Sequence, residues 1–241
     1  MFDLRLTAAV IVCAVAGASC APRAVRFLYG CADAEARLRR SWEELQEARS
    51  AAGGCVDMHG VDRCSVARTH IEQLSYECPN HVPGLMANAI LAYDAKELIK
   101  AQQLLDQLFG IQPAHPEAAA LRGRIALEEG NAPFALRFLS EQIRLTPDHA
   151  ALRETYASAL FVTGRWAESR TQLDMSERLG APKWRIDYHR GLIEESTGDL
   201  AKAREYYQAS LKEKPGWKAA ESRLGGLQAV PQRVSPTEQK K

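Results

Sequence analysis

No apolar run in this sequence is long enough to cross a bilayer as a helix. The one strongly apolar stretch, LTAAVIVCAVAGA at residues 6–18, has 13 residues, against the ~20 that a hydrocarbon core of ~30 Å requires. Net charge of either sign is missing too: 31 Lys and Arg face 30 Asp and Glu, a net of +1. That removes the basic field on which nucleic-acid binding depends, so no nucleic-acid partner is expected. Apolar–polar alternation never runs beyond a few residues, which excludes sheet architectures. There is no Gly-rich phosphate loop, nucleophile elbow or HExxH. The methionines (Met1, Met58, Met86 and Met175) are too scattered to converge on one ion. No catalytic residue, resident metal or cofactor is expected, and the chain is not expected to be an enzyme. Cysteine also stops early, at Cys78.

What is present favours helix throughout, with Ala, Leu, Glu and Arg abundant and β-branched runs scarce. With 241 residues, 46% of them apolar and 25% charged, the chain has length for one elongated domain or two small ones.

The amino terminus differs from the rest. MFDLR precedes the 13-residue apolar stretch, and small residues follow, the order of a secretory signal. The segment ends in Gly17-Ala18-Ser19-Cys20 and resembles the lipobox of bacterial lipoproteins. Ala18, Ser19 and Cys20 match; Gly17 stands where leucine is usual. The resemblance implies a signal peptide over 1–19, lipid on Cys20, and a linker over 20–32. Ala21 rather than aspartate after Cys20 implies the outer membrane, facing the periplasm. The alternative is ordinary cleavage after Ala16-Gly17-Ala18, which leaves a soluble periplasmic or secreted protein.

Cys31, Cys55, Cys64 and Cys78 remain, an even number within 48 residues. In an exported chain they predict two disulfides, with three possible connectivities. Asp33 to Ala51 is amphipathic, with Leu38, Trp42, Leu45 and Ala48 on one face. A second helix is expected from about Arg63 to Glu77, and Pro79 follows its end. Folded back as a hairpin, these two helices bring Cys55 to Cys64 at the turn and Cys31 to Cys78 at the open end. The rival is zinc held by Cys55, His59, Cys64 and His70, but the spacing C-x3-H-x4-C-x5-H fits no common finger.

From residue 82 the chain repeats with a period of 34. Small residues recur at Ala89, Gly123, Ala157 and Gly191, and again at Ala101, Ala135, Ser169 and Ala203. Larger ones recur at Leu105, Leu139, Leu173 and Tyr207. Prolines close the units at Pro113, Pro147 and Pro215, with Pro182 one residue late. Turn glycines sit at Gly130, Gly164 and Gly198, and Lys96 interrupts their series. These residues and this period resemble the tetratricopeptide repeat, most clearly in IDYHRGLIEESTGDLAKAREYYQASLKEKPG, residues 186–216. The resemblance implies an all-α fold: a right-handed superhelix, or α-solenoid, of about five helical hairpins plus a C-terminal end helix. Four repeats would cover 82–217, an end helix 218–230 and a disordered tail 231–241. The cysteine hairpin, 33–81, is a degenerate fifth unit at one end, its turn lengthened by about nine residues around GGCVDMHGVDRC.

His81, His115 and His149 are also 34 apart, too far for one ion, and are expected as solvated turn histidines. Glu194-Glu195 and Glu128-Glu129 are adjacent on helices and point ~100° apart, so they are expected as solvated charges. In proteins with this repeat the concave face is lined by first helices. The period names three rows there: Met86, Ala120, Glu154 and Tyr188; Ile90, Arg124, Ser158 and Leu192; Tyr93, Leu127, Phe161 and Glu195. From them Met86, Ile90, Tyr93, Arg124, Leu127, Glu154, Phe161, Tyr188 and Leu192 are expected to contact a partner. Part of the ridge formed by Tyr93, Leu127 and Phe161 would serve helix packing instead. The lysines and asparagines with which family members clamp a peptide carboxylate are missing, so an apolar helix or extended peptide is the expected ligand. The expected role is an adaptor in envelope assembly, pilus biogenesis or secretion, touching the membrane through its lipid anchor only. The alternative is an accessory subunit of an envelope enzyme complex, in polysaccharide export or peptidoglycan remodelling.

Overall fold

A computed structural model describes residues 31–229. The expected signal over 1–19, Cys20 and the expected tail over 231–241 lie outside the described residues. Within them the chain forms eleven helices and no strand beyond one isolated bridge. In chain order these are α1 (Ala34–Ser50), α2 (Arg63–Glu77), α3 (Val82–Asp94), α4 (Leu98–Ile111), α5 (Pro116–Glu128) and α6 (Ala132–Leu145). They continue with α7 (Ala150–Val162), α8 (Trp166–Arg178), α9 (Lys183–Thr197), α10 (Leu200–Glu213) and α11 (Lys218–Ala229). One compact unit runs to Leu91 and a second begins at Ala92, so the division falls within α3.

In the first unit α1 packs on α2. Leu38, Leu45, Ala48, Ala67, Ile71 and Leu74 are buried between them, with Ala87 and Leu91 of α3 in the same core. The cysteines are paired in nested fashion. Cys31 is bonded to Cys78, with Cα atoms 5.6 Å apart, and Cys55 to Cys64, at 5.2 Å. The thiolates a zinc ion would need at Cys55 and Cys64 are therefore consumed. Each crosslink adds ~2–4 kcal/mol, in the chain-entropy account by restricting the unfolded state. Inside the smaller ring the backbone forms a tight hairpin. Val56 bridges Asp62, and Asp57 Oδ1 accepts from the backbone N–H groups of His59 (2.8 Å) and Val61 (2.9 Å). Asp62 then caps α2 by accepting from Ser65 N at 3.1 Å.

The second unit shows why the 34-residue period exists. Ala135, Ser169 and Ala203 lie fully inside, as do Leu139, Leu173 and Tyr207. The small positions on the facing helices let the large side chains in. A Cβ added to Gly123 would stand 2.6 Å from Leu139 Cδ2, and one added to Gly191 2.5 Å from Tyr207 Cε1. Neither pair of helices tolerates a methyl group there without moving. Hydroxyls repeat as well: Ser176 Oγ donates to Ala150 O and Ser210 Oγ to Trp184 O, both at 2.8 Å, tying each second helix to the start of its own first helix. Caps follow the local sequence: Asn131 accepts from Phe134 N and Asp199 from Lys202 N, satisfying donors the helix itself leaves open.

The turn glycines Gly130, Gly164 and Gly198 have φ of 76°, 75° and 89°, and Lys96, at their place in the series, has φ 63°. The turn geometry is thus kept where the residue type is not. The three histidines are not simply solvated. Nδ1 of His81, His115 and His149 accepts from the backbone N–H of Gly84, Ala118 and Leu152, at 3.1, 3.2 and 3.3 Å. Each is a helix cap, because the first turn of α3, α5 and α7 has donors to satisfy. That fixes the ring proton on Nε2, which donates to Glu35 from His81 and to Glu117 from His149.

Three measurements check this account. Non-reducing peptide mapping should return Cys31 joined to Cys78 and Cys55 joined to Cys64; free thiols there would contradict the pairing. Gly191→Ala should lower unfolding free energy by ~1–3 kcal/mol through overpacking against Tyr207. Lys96→Gly should raise it by about 1 kcal/mol, since a left-handed residue with a Cβ is strained by ~1–2 kcal/mol. Denaturant titration reads both substitutions, and an unchanged midpoint for Gly191→Ala would refute the close approach.

A cleft across three first helices

The first helices α5, α7 and α9 of the second unit carry a shared cleft of about 340 Å³. It is lined by Arg124 and Leu127 from α5, by Glu154, Thr155 and Ser158 from α7, and by Arg185, Tyr188 and His189 from α9. Trp217, just before α11, completes it. Four of the residues expected to contact a partner therefore meet here, Arg124, Leu127, Glu154 and Tyr188, together with Ser158 of the same rows. The others lie elsewhere. Phe161 is half-buried on the core of Ala157, Leu173, Ala181, Ile186 and Ile193. Leu192 packs beside Ala203, Tyr207 and Leu227. The Tyr93 hydroxyl donates to Glu128, and burial followed by that bond pushes its pKa up to about 12. Met86 and Ile90 belong to the first unit and are half-buried there.

Arg185, His189, Thr155 and Trp217 had no place in the three rows. Thr155 and His189 are themselves 34 apart and each follows a row member by one position, a signal the rows contained. Trp217 had none, since it belongs to no repeat helix.

Glu154 is the cleft's electrostatic centre. Its residue is only 9% exposed, and its carboxylate accepts from Arg185 Nη2 at 2.6 Å and faces His189 Nε2 at 3.3 Å. Burial alone would raise its pKa; the bonds from His189 and Arg185 outweigh that and hold it below the ordinary 4.5. Arg124 is exposed, beside the Tyr93 oxygen, and has no carboxylate partner among the described residues. The aromatic wall is continuous: Trp217 lies 4.5 Å from Tyr188 and 4.6 Å from Trp184 between ring centroids, and Lys214 Nζ sits 4.0 Å from the Trp184 ring centre. Such a wall offers apolar area at small cost in side-chain entropy. Because the folded pKa of Glu154 is depressed, its contribution to stability is present above pH 4.5 and is lost as pH falls through the folded value. Glu154→Gln should therefore melt below the parent at pH 6, and the gap should close as the pH falls below 4.5. A gap that persists unchanged at pH 3 would assign the loss to packing.

Residues 157–216 match the tetratricopeptide repeat family. In sequence the chain matches no curated protein. Its fold is shared by solved structures of low identity. A tetratricopeptide repeat protein from Parabacteroides merdae aligns with TM-score 0.60 at 16% identity, covering 80% of each chain. A thermophilic TPR protein of Thermus thermophilus gives 0.64 at 16%, covering 82% of this chain and all of its own. The Pseudomonas aeruginosa protein pilF gives 0.59 at 15%, covering 81% of each. With the 34-residue period, the paired helices and the small-against-large contact between them, these matches give the chain the tetratricopeptide repeat fold.

Proposed function

We propose that this chain is an exported, non-catalytic adaptor of the bacterial cell envelope, which holds a segment of a partner protein against the first helices of its repeats. The observation that carries this reading is the cleft itself. It is assembled from three successive first helices, it combines an aromatic wall with a few fixed polar groups, and it brings together residues from four separate stretches of chain. The repeat fold is in general an interaction scaffold, and peptides or proteins are what such grooves bind. Nothing in the cleft resembles a nucleophile with its base: the one buried carboxylate is committed to Arg185 and His189.

Two disulfides in the first unit support an oxidising compartment, where such crosslinks persist. The sequence of residues 6–20 supports export and lipid attachment at Cys20. Among the described residues no helix is long and apolar enough to cross a membrane. Assembly of envelope structures, pilus biogenesis and secretion are the processes in which this adaptor would act. Residue 21 is alanine, which favours the outer membrane, facing the periplasm.

Two experiments test the proposal. The mature chain should label with palmitate and partition into detergent, and Cys20→Ser should abolish both; a freely soluble mature protein beginning at Ser19 would end the anchored reading. Affinity purification from solubilised envelope should recover a partner that Tyr188→Ala loses, with ~1–3 kcal/mol of affinity removed. Phe161→Ala, in contrast, should lower stability by ~3–5 kcal/mol and leave affinity nearly unchanged. The opposite pattern would move the binding surface from the cleft to the row containing Phe161.

A further inference from the structure

We infer that the partner segment this cleft takes is an extended peptide in which an acidic side chain lies within a few residues of an aromatic or large apolar one. The inference rests on the groove reading above and adds the chemistry of the ligand. Of the nine residues expected from the sequence to contact a partner, one is a cation and one an anion, Arg124 and Glu154, which gives no preferred sign. The structure changes that balance. Glu154 is buried and engaged by two groups, Arg185 at 2.6 Å and His189 at 3.3 Å, so its charge is already answered from within the cleft. Arg124 has no carboxylate of its own: it is exposed, its polar neighbour is the neutral Tyr93 hydroxyl, and no described carboxylate pairs with it. The nearest acid along its own helix, Glu128, is taken by the Tyr93 hydroxyl and by Lys96 Nζ at 3.3 Å. Arg185 is also short of acceptors, since its Nε has none among the described residues.

The cleft therefore presents residual positive charge on one side and the Tyr188–Trp217 wall on another, with Thr155 and Ser158 hydroxyls between. A purely apolar peptide would cover Arg124 without supplying an anion, at a desolvation cost. A basic peptide would meet it with like charge. An acidic side chain satisfies it with a charge-assisted hydrogen bond, while an adjacent aromatic or leucine side chain covers the wall. Glu154 is in this view a positioning residue: it fixes the guanidinium of Arg185 and the ring of His189 rather than touching the ligand.

The test uses the purified chain and a displayed library of random linear dodecapeptides as probe, followed by titration of one enriched peptide. Expected is an enriched sequence with Asp or Glu close to Phe, Tyr, Trp or Leu. Arg124→Glu, at an exposed position, should weaken it about tenfold or more. The same peptide with Lys in place of its acid should bind Arg124→Glu better than it binds the parent, a reversal that a merely structural effect cannot produce. An enriched sequence without acid, insensitive to Arg124→Glu but lost in Tyr188→Ala or Trp217→Ala, would overturn this inference and leave the groove reading standing. Enriched peptides indifferent to all three substitutions, or no enrichment at all, would overturn both.

Discussion

The repeats depend on how closely two helices of one hairpin approach. At Gly191 the aromatic ring of Tyr207 occupies the space where any other residue would place its Cβ, and at Gly123 the leucine Leu139 does the same. A side chain admitted that far is wholly withdrawn from water: Tyr207 and Leu139 are both fully buried. The phenol of Tyr207 still needs an acceptor, which Glu195 provides at 2.6 Å. Burial followed by this bond raises the Tyr207 pKa far out of the physiological range. One missing methyl group thus sets helix separation, core filling and a hydrogen bond on the cleft-bearing helix α9.

Much of this was legible in the sequence, because repetition turns one weak signal into four. A single glycine in a helix means little; a small residue at the same place every 34 residues, opposite a large one, specifies a hairpin. The cysteine pairing was legible for a similar reason, since two amphipathic helices joined by a turn leave one geometry for four cysteines. The cleft was legible only in part. A row taken from the period fixes which side of a helix a residue lies on, but not whether the next repeat covers it. Phe161 and Leu127 share a row, yet Phe161 goes to the core while Leu127 lines the cleft and also packs against a core. Burial of Glu154 depends on Arg185 and His189, 31 and 35 residues away in sequence, and no periodic rule pairs those types. The capping histidines were visible as a series, but the usual capping residues are Ser, Thr, Asp and Asn, so their task was not.

Those histidines show that a repeat can preserve a function while changing the residue that performs it. At the start of α3, α5 and α7 an imidazole nitrogen accepts from the third backbone N–H; at α6 and α10 a carbonyl or carboxylate oxygen does so. The turn at Lys96 is the same lesson in backbone form: a left-handed conformation is retained by a residue poorly suited to it. The fold demands an acceptor or a dihedral angle, and several residue types can meet the demand at different energetic cost.

The larger disulfide also changes how force would travel through the chain. Cys31 and Cys78 are 47 residues apart along the backbone, yet one bridge joins them. Tension applied upstream of Cys31 passes straight through that bridge to the start of the repeats. The α1–α2 hairpin, closed off inside the loop, would carry none of it. A protein held at its amino-terminal end and loaded at its repeats would thus keep its first hairpin slack, folded by its own core and its own smaller ring. A single backbone cut anywhere inside the loop would leave the two ends joined.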